Sequence, residues 1–181
     1  MFIWSFVAHD VLPLGEVGVR EIPNEPAVLG SMQTSIGETS GFYFFPGLGV
    51  GPNPTREQKS EAMKNMNDKL AANPSGILIY HPPGRLFSFG RLLGVEFCTE
   101  LAEAILAVSL LAQTSIAGFG CRVGFVTMIG LVAAIATNVS YWNWYGFPTN
   151  YTVAYMTIQI VGFIIVGIVA ALILGKGRSA A

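Results

Sequence analysis

An uncharged apolar run over residues 152–175 constrains the fold more than any other feature of the sequence. A helix of about 20 apolar residues crosses the ~30 Å hydrocarbon core of a bilayer. Charge is scarce in this chain, since 12% of the residues are charged and 52% are hydrophobic, and Glu103 is the last acidic residue. Soluble domains carry about twice that share of charge. The sequence therefore predicts a membrane protein whose back part is nearly free of charge.

Three further segments resemble membrane helices: residues 1–15, 100–118 and 123–142. The first would be about 22 Å long as a helix, which is short for a crossing, so we expect it to extend past Glu16. A secretory signal peptide is the alternative for this segment, but it has no basic residue at its start and no small-residue cleavage site. The predicted fold class is a membrane α-helical protein with about four transmembrane helices.

The expected domain organisation places an extramembrane domain between helices 1 and 2. Residues 1–18 form the first transmembrane helix, residues 19–94 an extracytoplasmic α/β domain, residues 95–175 a three-helix region and residues 176–181 a cytoplasmic tail. Basic residues of short loops stay in the cytoplasm, which orients the tail and the turn around Arg122. We therefore expect a multi-pass protein of the bacterial inner membrane with residues 16–94 extracytoplasmic and both termini cytoplasmic.

The extramembrane domain shows a strand, a helix and a second strand. The motifs are "GFYFFPG", "NPTREQKSEAMKNMNDKLAANP" and "SGILIYHPPG". Strand, helix, strand predicts a βαβ-like unit with two parallel strands and a right-handed crossover. Parallel strands need cover on both faces, so one face is expected to meet membrane helices or another protein. Residues 85–97, rich in leucine and phenylalanine with two arginines, are expected to form an interfacial helix that leads into the membrane.

A polar cluster is predicted where the first two membrane helices meet. Glu96, Glu100 and Glu103 share one helical face, and His9 and Asp10 can lie at the same depth. Ionisable residues inside a membrane usually face the bundle interior and pair with one another. The favoured interpretation is structural, with His9 paired to a glutamate. Alternatives are an iron or manganese site, ligation of a pigment or haem by His9, and a proton pathway.

A second candidate site is an aromatic segment without charge at residues 140–152. Its aromatic residues include Tyr141, Trp142, Trp144, Tyr145 and Phe147. Tyrosine and tryptophan concentrate at the membrane–water interface, which is the favoured interpretation. The alternative is a platform for a pigment, a quinone or a partner helix. No cofactor of the protein's own is identified, and lipid or pigment contacts are expected at the helix faces.

Other motifs are expected to carry no chemistry. The glycine-rich stretch at residues 46–54 lacks the lysine of a phosphate loop and is predicted to be a plain turn. His81, beside two prolines, is expected at the surface or at a strand edge. Cys98 and Cys121 are expected to be isolated buried thiols, about 30 Å apart along a helix and unable to form a disulfide. A net charge of −1 gives no electrostatic reason to bind nucleic acid.

The stretches "VLPLGEVG", "GFYFFPG", "GILIYHPPG" and "SYWNWYGFP" resemble an uncharacterised group of small bacterial inner-membrane proteins. The resemblance implies no activity and assigns no functional residue. The expected function is therefore argued from the pattern alone. It is a non-catalytic accessory subunit of a larger energy-transducing membrane complex, photosynthetic or respiratory, whose partners are the bilayer and other membrane subunits. The alternative is a metal-dependent membrane oxidoreductase that uses His9, Asp10, Glu100 and Glu103.

Overall fold

The computed structural model describes residues 1–178, with side chains up to Gly175, and it divides the chain into two compact units. The helical unit comprises Met1–Arg20 and the chain from Phe87 onward, and the α/β unit is Glu21–Leu86. The predicted division into a first transmembrane helix, an extracytoplasmic domain and a three-helix region stays a prediction. Residues 179–181, the end of the predicted tail, lie outside the described residues.

The helical unit is built from five helices. They are α1 (Phe2–Phe6, continued by a π-helical turn at Val7–Val11), α5 (Phe89–Ala112), α6 (Phe119–Ala134, continued by a π-helical turn at Ile135–Val139), α7 (Ser140–Tyr145) and α8 (Thr149–Arg178). Gly146, whose φ of 69° lies in the left-handed region, ends α7. The numbers α2 to α4 belong to the α/β unit.

Helices α6 and α8 form the central pair, and small residues let them approach closely. A Cβ at Gly130 would overlap Phe163, and a Cβ at Gly167 would lie 3.2 Å from the Val123 backbone. Val126, which is fully buried, packs in the same core as Phe163. Small residues therefore allow the close packing of these two helices.

Helix α1 packs on the outer side of α8. The Trp4 indole donates a hydrogen bond of 2.8 Å to the Ile158 carbonyl oxygen. The Met1 and Trp4 side chains lie over Gly162, where a Cβ would be 3.5 to 3.6 Å from them. Beyond the π-turn the chain bends through a 3₁₀ turn at Leu14–Glu16. The chain is thus helical at its start, but the helix ends at Val11 rather than near residue 18 and is not a candidate membrane span.

The α/β unit contains α2 (Glu25–Ile36), β1 (Gly41–Phe45), α3 (Arg56–Lys64), α4 (Met66–Ala72) and β2 (Gly76–Tyr80). The two strands pair antiparallel, with Phe45 opposite Gly76 and Gly41 opposite Tyr80. The predicted parallel βαβ unit is therefore wrong. The predicted single helix is broken at Asn65 into α3 and α4, and the chain returns to the end of the sheet that it left.

The prediction of about four transmembrane helices is also wrong. Two of the described helices are long and apolar enough to cross a membrane, Phe119–Tyr145 and Thr149–Gly175. Helix α5 is long enough, but Arg91 and three glutamates lower its apolar character. It begins at Phe89 and so includes most of the interfacial segment predicted at residues 85–97. Helix α1 with its π-turn is about 15 Å long, half of a hydrocarbon core.

Candidate functional site

His9 lies in the π-turn after α1 and is held by contacts within its own segment and with α8. Its Nδ1 donates a hydrogen bond of 2.9 Å to the Ser5 carbonyl oxygen. Its ring stands edge-on to Tyr155 at a centroid distance of 5.9 Å and packs tightly against Gly15. No ion pair between His9 and a carboxylate occurs in the described part of the chain. The expected pairing of His9 with a glutamate is therefore not what the geometry shows.

Asp10 follows His9 in the same π-turn but is exposed. Its neighbour Ala8 is fully buried, so the turn presents one side to the helical unit and Asp10 to the other.

The three glutamates of α5 do share a face, as the spacing predicts. Glu96 is exposed, whereas Glu100 and Glu103 are half-buried. Among the described residues, Glu100 Oε2 is buried and has no hydrogen-bond partner. Burial raises the pKa of Glu100, against a smaller opposite effect of the nearby Ser5 hydroxyl. Burial, helped by the charge of Glu96, also raises the pKa of Glu103. The α5 carboxylates therefore form a negative cluster that the Met1 ammonium group near Glu100 partly offsets.

A metal site is not assembled by these side chains. Within residues 1–178, no three histidine, cysteine or acidic side chains are grouped so that they could hold a metal ion. Cys98 and Cys121 are free, but both are exposed, which corrects the expectation of buried thiols. The metal-dependent oxidoreductase therefore has no geometric basis in the described residues.

The aromatic segment is partly helical and forms a ladder of neighbouring rings. Tyr141 contacts Tyr145 and Phe147 at centroid distances of 5.7 and 5.5 Å. Phe147 lies 5.4 Å from Tyr151, which stacks on Tyr155 at 4.2 Å. Because Tyr155 also contacts His9, the ladder joins the α7–α8 connection to the segment after α1.

The two tryptophans of this segment differ from the ladder. Trp142 Nε1 donates a hydrogen bond of 3.1 Å to Thr149 Oγ1, which bridges the turn between α7 and α8. Trp144 is 77% exposed. A polar tip bonded to the turn and an exposed ring both suit a membrane–water interface.

The glycine-rich stretch after β1 is closed by a lysine. Lys69 Nζ donates hydrogen bonds of 3.1 Å to the carbonyl oxygens of Gly47 and Leu48. A phosphate loop would present N–H groups to its ligand, whereas this loop directs two carbonyl oxygens to an ammonium group. The loop is thus a structural turn, and His81 at the end of β2 is exposed.

Sequence reasoning missed a polar contact between α6 and α8. Asn138, in the π-turn, donates a hydrogen bond of 3.3 Å to Gln159 Oε1. The buried Arg122 donates to the Ile116 carbonyl oxygen at 3.1 Å and closes the turn before α6. An amide in each of two apolar segments was the signal that could have revealed the first contact.

A second feature that the sequence analysis missed is an open groove along the outer face of α5. We call it the α5 groove, and it has a volume of about 790 Å³. The residues that line it are Arg91, Gly94, Val95, Cys98, Thr99, Ala102, Glu103 and Leu106. Small residues spaced four apart line its base, and this spacing is the feature of the sequence that could have revealed the groove. Arg91 lies at one end and Glu103 near the other.

Comparison of the chain with family models, with curated proteins and with solved structures gives no match. The site is therefore interpreted from its own geometry.

Proposed function

We propose that this protein is a non-catalytic accessory subunit of a larger membrane protein complex. The observation that carries the proposal is the surface of α5. Large apolar side chains are between 40% and 64% exposed along it: Phe89, Leu92, Leu93, Val95, Phe97, Leu101, Ile105, Leu106 and Leu110. The buried residues of α5 are Ala107 and Leu111.

Neither water nor lipid is a good solvent for this helix. An apolar surface of this extent is unfavourable in water, because each buried Å² of apolar area is worth about 25 cal/mol. Ionised carboxylates such as Glu96 and Glu103 are costly in hydrocarbon. Another protein can cover apolar side chains and also provide partners for charges. The mixed character of α5 therefore supports an interface with a second subunit.

The remaining helices supply the membrane anchor in this proposal. Phe119–Tyr145 and Thr149–Gly175 form a helical hairpin that crosses the bilayer. Arg122 and Lys176 flank the same end of this hairpin, which we assign to the cytoplasmic side of a bacterial inner membrane. The aromatic ladder near α7 then lies at the outer interface. With these two crossings alone, the chain before Phe119 stays on the cytoplasmic side, so the expected extracytoplasmic position of residues 16–94 is not part of this proposal.

Co-migration with a larger assembly tests the proposal. The full chain, tagged and expressed in its native host, is extracted in mild detergent and run on a native gel. We expect a band much larger than the 19.4 kDa chain, and the same protein in harsh detergent should run as a smaller, less stable species. The co-purifying chains and chromophores identify the kind of complex, energy-transducing or other. A sharply melting monomer under both conditions would refute the proposal.

A further inference from the structure

A cavity lies within the helical unit, between α5 and the second half of α8. It has a volume of about 300 Å³, and all nine residues that line it are apolar. Ala104 and Val108 form its α5 wall, and its α8 wall falls within residues 165–174. Met1 closes one end, since its side chain also covers Gly162. We call this elongated apolar gap the α5–α8 cavity.

The α5–α8 cavity has the width of a single hydrocarbon chain. Its α8 wall is about 14 Å long, at a helical rise of about 1.5 Å per residue. The volume divided by this length corresponds to a channel about 5 Å wide. An unbranched hydrocarbon chain is about 4 Å thick, as the contact distance between carbon atoms requires. A helix with its side chains is about 10–12 Å across, so the cavity is too narrow for a helix of another subunit.

The mouth of the cavity opens on the surface of a membrane segment. Val169 and Ile173 line the cavity and are 50% and 65% exposed, so the cavity reaches the surface at these residues. Both belong to Thr149–Gly175, which is long and apolar enough to cross a membrane. In the membrane anchor proposed above, the medium at this surface is the hydrocarbon of the bilayer. Apolar cavities exclude water and accept apolar molecules, so bilayer hydrocarbon is the expected occupant.

We propose that the α5–α8 cavity binds one acyl chain of a bilayer phospholipid. This inference rests on the membrane anchor of the proposed function and names a ligand of the same helices. The cavity extends to Leu174, and a Cβ at Gly175 would lie 3.9 Å from an Arg122 nitrogen. The end near Leu174 is therefore the basic end of the hairpin, where phosphate head groups are favoured. The acyl chain enters from that end, and its terminal methyl group lies towards Met1.

A bound chain would complete the packing of α5. Ala107 and Leu111 are buried on this helix, whereas Ala104 and Val108 border the cavity. Protein interiors are close-packed, and side chains beside an empty gap lose dispersion contacts. An acyl chain restores these contacts. It would therefore hold in place the helix whose outer surface is the proposed subunit interface.

Blocking the mouth is the first test. Val169→Phe adds a ring at an exposed position that lines the cavity, and Val132→Phe, at a 66% exposed valine of α6, is the matched control. Each full chain is produced alone in a bacterial host and purified in a steroid-based detergent, which has no linear alkyl chain to compete. Retained lipids are then extracted and counted by mass spectrometry.

We expect the wild type and Val132→Phe to retain a phospholipid in a stoichiometric amount. Val169→Phe should retain roughly fivefold less or lower still, as for an overpacked contact. Equal retention by the two variants would overturn the proposal. So would a wild type that retains no phospholipid, or one that retains an isoprenoid quinone in its place.

Refilling the cavity is the second test. Delipidated wild-type protein in the same detergent is mixed with phosphatidylglycerol or, separately, with ubiquinone, and hydrogen exchange of residues 100–112 is followed. Phosphatidylglycerol should slow this exchange roughly fivefold, because local opening then requires loss of the chain, and ubiquinone should leave it unchanged. Slowing by ubiquinone, or by neither molecule, would contradict the proposal.

Ala104→Leu provides a variant that fills the cavity from within. Its larger side chain occupies space that the structure leaves open, so it should substitute for the lipid. We expect its α5 exchange to be slow with and without phosphatidylglycerol, and its retained phospholipid to fall. A variant that still retains phospholipid as the wild type does would show that the lipid binds elsewhere and would overturn the proposal.

The outcomes separate this inference from the proposed function. If alkaline carbonate releases the chain from membranes, the anchor is absent and the proposed function fails. If the chain stays in the membrane and migrates with a larger assembly but retains no phospholipid, the function stands and the cavity proposal alone is overturned.

Discussion

The Trp4 indole nitrogen and the Ile158 carbonyl oxygen are 2.8 Å apart and join α1 to the first half of α8. Trp4→Phe would keep most of the ring and remove the donor, so it should cost about 1 kcal/mol, a typical net value for one hydrogen bond. Thermal unfolding in mild detergent and hydrogen exchange of residues 2–11 measure this loss. Trp144→Phe, at an exposed ring, is the control and should be neutral. Unchanged exchange in Trp4→Phe would show that the bond does not hold α1.

Gly130 and Phe163 set the spacing of the central helix pair. Gly130→Val would force its side chain into the Phe163 ring and should destabilise the helical unit by about 1–3 kcal/mol, the usual cost of overpacking. Gly124→Val, in open space, should leave the melting temperature nearly unchanged. The comparison is made by thermal melts of the two variants in the same detergent. Similar melting temperatures would contradict the close α6–α8 contact.

Glu100 should make stability depend on pH. Burial raises its pKa in the folded state, so the cost of its charge is absent at low pH and appears as pH rises through the folded pKa. Glu100→Gln should therefore melt higher than the wild type at pH 7 to 8, and the difference should vanish below about pH 4, the ordinary range of a glutamate. Melts of both proteins across this range provide the measurement. A constant difference at all pH values would argue against a titrating Glu100.

Thr55 caps α3 through a capping box with Gln58. The Gln58 backbone N–H donates to Thr55 Oγ1 at 3.2 Å, and the Thr55 backbone N–H donates to Gln58 Oε1 at 2.9 Å. Thr55→Ala should cost about 1 kcal/mol of local stability. Hydrogen exchange of Arg56–Lys64 should accelerate roughly fivefold, as that free energy implies. Thr39→Ala in the same unit is the control, and equal exchange in both variants would count against the cap.

The proposed orientation predicts which side of the membrane each segment faces. In a background with Cys98 and Cys121 replaced by serine, a cysteine at Asn143 in α7 should react with an impermeant thiol reagent in intact cells. A cysteine at Ser179 should react only after the cells are opened. Mass-tag gel shifts measure both reactions, and the reverse pattern would overturn the orientation.

Local pattern predicted the individual elements better than their arrangement. The two apolar segments that lie within α6 and α8 and both strands were predicted within a few residues. The strand direction was not, because it depends on how the chain between the strands turns back, and residue spacing does not encode that. Asparagine has a low helix propensity, but the apolar spacing on either side of Asn65 favoured one continuous helix.

In the candidate site, too, residue spacing predicted a shared helix face but did not predict a long-range contact. The shared face of Glu96, Glu100 and Glu103 follows from helical periodicity and was predicted. The partners of His9 depend on a π-turn and on the position of Tyr155 more than a hundred residues away. No periodicity encodes such a contact, and a histidine near carboxylates in a membrane segment suggested an ion pair instead.

The Asn138–Gln159 hydrogen bond fixes the position of α6 along α8. A slip by one helical turn, about 5.4 Å, would separate the two amides and leave both in an apolar environment. Leucine, valine and isoleucine neighbours would tolerate such a slip much better, since one apolar contact replaces another. A twisting or sliding force from the bilayer or from a bound subunit should therefore move α6 and α8 together rather than slide one helix along the other.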